Sequence, residues 1–136
     1  MPPKPPVSVV LRWDGDLAFV TDERTHRIVT DGDGKRGPSP VQLLAVALAG
    51  CMGSDVALIL TRARQPLRGL EVQLTADRAS EDPHRLTAVR MHFAVEGAVD
   101  PARLDRAIAL SRDKYCSVWH SIRQDVPLEL TTAIHA

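Results

Sequence analysis

Short runs of alternating hydrophobic and polar residues flank one long apolar stretch, and this pattern lays out the elements. Val7 to Trp13 alternates and starts β-branched, which predicts a strand. Asp14-Gly15-Asp16 is a turn signal, and Leu17 to Thr21 predicts a second strand. After the polar residues 22–25, His26 to Thr30 predicts a third, completing a meander with short turns. Further on, Leu70, Val72, Leu74 and Ala76 fall on one face of a strand, and Glu71, Gln73 and Thr75 on the other. Leu86 to Val95 repeats this less regularly, and the polar stretch 79–84 between the two reads as a hairpin loop. Val126 to Ile134 reads as a last strand.

The apolar stretch from Val41 to Leu60 opens on the clearest local signal. Ser39-Pro40-Val41-Gln42 is a capping box with proline at the first helical position. The Ser39 hydroxyl can accept from the Gln42 backbone N–H, and the Gln42 amide can reach back. The helix should run to about Arg64, with Pro66 ending it. It is long enough to cross a bilayer. Gln42, Ser54 and Asp55 interrupt it, however, and an Asp near the middle of a span is costly, so it reads as a buried soluble helix. Its first half is apolar on nearly every face, which calls for protein on all sides. Ala45, Ala47, Ala49, Gly50 and Gly53 allow close approach of neighbours. A short chain has few elements to enclose such a helix, which points to a second subunit. Another helix is predicted from Pro101 to about Tyr115, with Asp100 as N-cap and Leu104, Ala107, Ile108 and Ser111 as its inward stripe. Residues 116–122 continue as a turn or short helix. The order βββ-α-ββ-α-β predicts an α+β fold with antiparallel sheet and a buried central helix. It should form a single domain, 1–136, behind a Pro-rich arm at 1–6.

Composition narrows the function. The chain has 136 residues, enough for one domain with a real core. The formal net charge of +0 and an aromatic content of 4% argue against a nucleic-acid partner. The arm has no apolar h-region, so no signal peptide is expected. The expected compartment is the cytoplasm, where two cysteines are free or redox-active rather than a structural staple. No membrane partner is expected. In the loop from Asp31 to Gly37, Asp31 and Asp33 resemble the start of a calcium loop, but its later acidic ligands and distal Glu are missing. His26, His92 and His120 lack metal-ligand spacing with either cysteine, so neither metal nor other cofactor is expected.

Two segments carry a resemblance. The run from Gly37 to Cys51, with Ser39-Pro40, Leu43-Leu44-Ala45-Val46-Ala47-Leu48 and the cysteine at this spacing, resembles the central-helix signature of the OsmC/Ohr family. Asp113-Lys114-Tyr115-Cys116-Ser117-Val118 resembles its second signature, a Lys-Tyr-Cys-x-Val run. The resemblance implies an intertwined homodimer with two central helices side by side. It also implies a thiol-dependent peroxidase that reduces organic hydroperoxides in oxidative-stress defence. Carried over, Cys51 is the peroxidatic cysteine and Cys116 the resolving one. An arginine from the N-terminal sheet activates the thiolate, and a dithiol reductant, often lipoyl-type, closes the cycle. The chain departs from the pattern at one position. The family's peroxidases have a Glu directly after the helix-opening proline, where it orients the arginine; here that position is Val41, and the polar residue Gln42 follows. The alternative is therefore a redox-sensing or small-molecule-binding OsmC-like protein without efficient turnover.

The thiol chemistry sets its own demands. An unperturbed cysteine has a pKa of about 8.5, and only the thiolate is a good nucleophile. Cys51 lies several turns into its helix among apolar neighbours, so the helix dipole offers little and a cation is needed. Arg12, Arg24, Arg27 and Arg36 are the candidates. Arg24 comes first, because the polar connection between strands does not pin it in a sheet. Asp55 lies one turn after Cys51 on the same face. It either holds the arginine in place of the absent Glu or pairs structurally. Met52, Tyr115 and Trp119 read as apolar core around the site. If both signatures serve one site, the two thiols must lie close together.

Overall fold

The computed structural model describes residues 3–21 and 26–136. The chain forms two compact units, residues 1–44 and 45–136.

The first unit holds an antiparallel sheet, in the order β1 (Leu11–Trp13), β2 (Ala18–Thr21), β3 (Val29–Asp31). The strands are shorter than the alternation predicts, and Val7, Val9 and Val10 are exposed and outside any strand. Gly15 and Asp16 turn the chain with φ of 90° and 46°, and the Trp13 indole N–H closes the turn on the Asp16 carbonyl at 2.8 Å. After β3, one Asp31 carboxylate oxygen accepts the Asp33 N–H at 2.9 Å and the other accepts the Arg36 N–H at 3.0 Å. Both oxygens thus close the loop on itself. The Arg36 N–H above all, then that of Asp33, hold the Asp31 carboxyl below its ordinary range.

Helix α1 (Pro40–Arg62) begins in the first unit and continues through the second. Its start follows the expected cap, with the Gln42 N–H donating to Ser39 Oγ at 3.1 Å. The helix ends before Arg64, which takes a left-handed φ of 58°.

The second unit is built on a sheet of β4 (Gly69–Arg78), β5 (Leu86–Glu96) and β6 (Leu128–His135), in that order. β4 and β5 form the expected antiparallel hairpin. β6, however, pairs with β5 in parallel, so this sheet is mixed where antiparallel pairing was expected. The cause lies in the connection. Between β5 and β6 the chain passes through α2 (Pro101–Leu110), a π-helical turn (Ser111–Tyr115) and a short 3₁₀ turn (Trp119–Ser121). That is a crossover long enough to bring the chain back to the starting end of β5.

One face of this sheet carries the core. Val89, Met91, Phe93 and Val95 of β5 are buried, with the apolar residues of β4 packed against the same cluster. Leu48, Met52, Val56 and Leu60, each one turn apart on α1, join it, as do Leu104, Ala107 and Ile108 of α2. Gly53 lets α1 sit close to the sheet: a Cβ there would lie 3.3 Å from Val72 Cγ2. By length and hydropathy α1 could cross a membrane, but this stripe makes it a core helix. Burial on every face is not achieved within one chain. Val46 is 60% exposed and Leu58 48% exposed. Asp100 caps α2 as expected, accepting the Ala102 N–H at 3.2 Å.

Gly97 ends β5 under a double constraint: its φ is +125°, and a Cβ would stand 2.0 Å from the Pro66 carbonyl oxygen. Gly34 has a φ of +69° but open space around it. Gly97→Ala should therefore lower the unfolding free energy measured in urea by more than about 1 kcal/mol, and by more than Gly34→Ala does. Equal losses in the two variants would show that the Pro66 contact is easily relieved.

Candidate active site

Cys51 and Asp55 stand one turn apart on α1, so their side chains emerge on the same side of the helix. The third member arrives from the crossover. After Leu110 the helix loosens into the π turn, and the Cys116 N–H reaches back to the Ser111 carbonyl at 2.8 Å. Cys116 itself leaves the helix, with φ −73° and ψ 100°. The Cys51 sulfur, an Asp55 carboxylate oxygen and the Cys116 sulfur all lie within 4.8 Å of one another. Both cysteines are free thiols. The expectation that the two thiols lie close together is met.

The surroundings differ for the two sulfurs. Cys116 is fully buried, while Cys51 is only partly so. The Trp119 N–H points at Cys116 Sγ at 3.3 Å, and the His120 N–H holds the Cys116 carbonyl at 3.0 Å. Burial pushes the Cys116 thiol up to about 11, against the smaller opposing effect of the Trp119 N–H; the adjacent Cys51 pushes the same way as burial. At neutral pH Cys116 is thus a neutral thiol.

Asp55 is held from the other helix. The buried Ser111 hydroxyl donates to Asp55 Oδ2 at 2.8 Å. This bond ties the end of α2 to the middle of α1. The helical spacing puts Ser111 on the inward stripe of α2 with Leu104, Ala107 and Ile108 without assigning it a role. A hydroxyl on an otherwise apolar stripe was the available signal that a polar partner faces it.

The other expected residues fall out as follows. Arg24 lies outside the described residues. Arg36 is engaged in the first unit, where its guanidinium pairs with the Asp14 carboxylate and donates to the Asp14 carbonyl at 2.7 Å. The Asp14 carboxylate raises the Arg36 pKa further. Gln42 serves the cap of α1 through its backbone, and the residue is exposed. Met52 and Trp119 are core, as expected. Tyr115 is not: it is half exposed, with the Lys114 ammonium 5.2 Å from its ring centre. The π turn accounts for the difference, because its wider winding carries residues 112–115 off the inward stripe that ends at Ser111.

An α+β chain that brings a free thiol and a carboxylate of its central helix together with a second free thiol from the crossover defines a thiol-chemistry protein. A family model described as OsmC-like protein matches residues 32–131, a span that crosses the boundary between the two units. The chain is 38% identical over 111 residues to protein YhfA of Escherichia coli strain K12, covering 79% of this chain and 83% of that protein. This chain therefore belongs to the OsmC-like family. Among solved structures, a hypothetical protein from Aquifex aeolicus VF5 superposes with a TM-score of 0.86 at 25% identity, covering 93% of this chain and 94% of that one. The Legionella pneumophila organic hydroperoxide resistance protein OsmC superposes with a TM-score of 0.71 at 15% identity, covering 96% and 99% of the two chains. That likeness is one of fold.

The two thiols should react differently with iodoacetamide. In a Cys51→Ser variant, alkylation of Cys116 should be negligible at pH 7 and should rise with pH toward a midpoint near the value of about 11 set chiefly by burial. A midpoint near the unperturbed value of about 8.5 would mean that the thiol is wetter than its packing implies.

Proposed function

We propose that this chain is a thiol-dependent peroxidase that reduces organic hydroperoxides. The observation that carries the reading is the Cys51–Cys116 pair, with sulfurs within 4.8 Å, one partly accessible and one buried. Cys51 is the residue that attacks. Its thiolate takes the distal oxygen of ROOH as the O–O bond breaks; the alkoxide picks up a proton and leaves as ROH, and Cys51 becomes a sulfenic acid. The Cys116 thiol then displaces hydroxide from that sulfur, its proton leaving with the hydroxide as water, and a Cys51–Cys116 disulfide forms. A dithiol reductant, such as a lipoyl group, returns two electrons and two protons. A neutral Cys116 suits the second role, because it does not compete for peroxide yet stands next to the sulfenic acid.

In this reading Arg24 is the cation that favours the Cys51 thiolate, and Asp55, anchored by Ser111, takes over the orienting role of the absent Glu. Gln42 supports the start of the same helix. The protein acts in the cytoplasm as one domain, 1–136, a reading favoured by the family match that crosses the two units. It works as a homodimer. The exposed Val46, Leu58 and Leu44 on α1 support this, because an apolar helix face of this kind needs a cover. One further observation favours a second reading. Val41 stands where the orienting Glu is expected, and the Asp55 carboxylate beside the thiols already accepts from the Ser111 hydroxyl. A protein so built could oxidise once, as a sensor or binder, without turning over.

Turnover separates the two. With an alkyl hydroperoxide and excess dithiothreitol, the wild type should consume many equivalents and Cys51→Ser none. Intact mass after one equivalent of peroxide should show loss of two hydrogens, and Cys116→Ser should instead gain one oxygen. A single oxidation without turnover supports the sensor, and no oxidation of the wild type sinks both. Sedimentation at micromolar concentration should give a dimer, with an interface above the standard ~1,600 Å². A folded monomer there would remove the dimer from the proposal.

A further inference from the structure

The same three side chains offer a chemistry that the peroxidase reading does not use. We propose that the reduced protein binds one thiophilic divalent cation of the zinc class through Cys51 Sγ, Cys116 Sγ and the Asp55 carboxylate. The donors come from two separate segments and already lie within 4.8 Å of one another. Tetrahedral zinc, with Zn–S of about 2.3 Å and Zn–O of about 2.0–2.2 Å, needs neighbouring donors about 3.5–3.8 Å apart. Side-chain rotations that bring the three together by about an ångström meet that need. Two donors are fixed one helical turn apart on α1, the spacing by which a helix presents paired ligands to one ion.

The shell behind the donors is that of a metal site. The Trp119 N–H supports Cys116 Sγ, as backbone N–H groups support coordinated thiolates. The buried Ser111 hydroxyl holds Asp55 Oδ2 and leaves the other carboxylate oxygen for the ion. Two sulfurs and one oxygen select zinc or cadmium over magnesium and calcium, which take oxygen shells. Two thiolates and one carboxylate carry three negative charges, so a divalent ion removes most of the repulsion among them. Three protein donors leave a fourth position for water or a small ligand. Binding releases both thiol protons. Oxidation of the pair by a hydroperoxide (two thiols and ROOH giving a disulfide, ROH and water) removes both sulfur donors and must expel the ion.

Titration of the reduced full chain with Cd²⁺ under anaerobic conditions tests this, followed by competition with Zn²⁺. One ion per chain should bind, with a sulfur-to-cadmium charge-transfer band in the ultraviolet that Zn²⁺ abolishes. Cys51→Ser and Cys116→Ser should each weaken binding at least about 100-fold, and Asp55→Asn, which keeps an acceptor for Ser111, by about tenfold or more. The disulfide form should show no band. No band in the reduced wild type, or stoichiometric binding that survives loss of both cysteines, would overturn the proposal. No peroxide is present, so this outcome is independent of whether the protein turns over hydroperoxides.

Discussion

The hydrogen bond from Ser111 Oγ to Asp55 Oδ2 is the contact on which the site depends. It joins the end of α2 to the middle of α1 at a place where both elements are otherwise held by apolar packing. Hydrophobic contacts have no direction and tolerate a shift of a few tenths of an ångström. A hydrogen bond between a buried hydroxyl and a carboxylate is directional, and a displacement that broke it would leave the Ser111 hydroxyl unpaired at a cost of about 1–3 kcal/mol. The bond therefore favours one position of the crossover along α1 among those that apolar packing allows. Cys116, five residues beyond Ser111 and tied back to it through its N–H, follows from that setting.

Depth then divides the labour between the two sulfurs. A sulfur with no solvent contact and apolar neighbours on the core side keeps its proton, and for Cys116 burial outweighs the backbone N–H groups of Trp119 and Val118 that favour the thiolate. Cys51, one turn nearer the cap than Asp55, remains partly open. A pair built this way has one sulfur that reagents reach first and one held in reserve. That asymmetry suits a resolving thiol, and also a metal ligand that ionises only when an ion arrives. Both uses draw on one geometry and exclude each other in time, since a disulfide cannot ligate through the same sulfurs.

The same economy shows in α1. Its inward stripe, Leu48-Met52-Val56-Leu60, fastens it to the sheet, and Gly53 brings it close to Val72. Its opposite face is nearly as apolar and stays exposed at Val46 and Leu58. An amphipathic helix would need no cover on that side. A helix apolar on both faces does, which is why the homodimer belongs to the functional proposal.

Local rules were enough to read α1 from Ser39 onward, the N-cap at Asp100, the β4–β5 hairpin and the inward stripe of α2, because each is decided by residues within a turn or two of one another. The two cysteine signatures were also legible, as was the demand that the thiols meet. Other features were settled only by the assembled fold. The parallel pairing of β6 depends on where a long crossover ends, and alternation within a strand looks the same for either direction. The π turn that carries Tyr115 outward and Cys116 inward has no periodic signature, since it is a single extra residue accommodated by packing. The convergence of Asp55 with Ser111 and Cys116 joins residues far apart in the chain. Sequence spacing showed two thiols and a carboxylate in search of partners; only tertiary packing made them partners of one another.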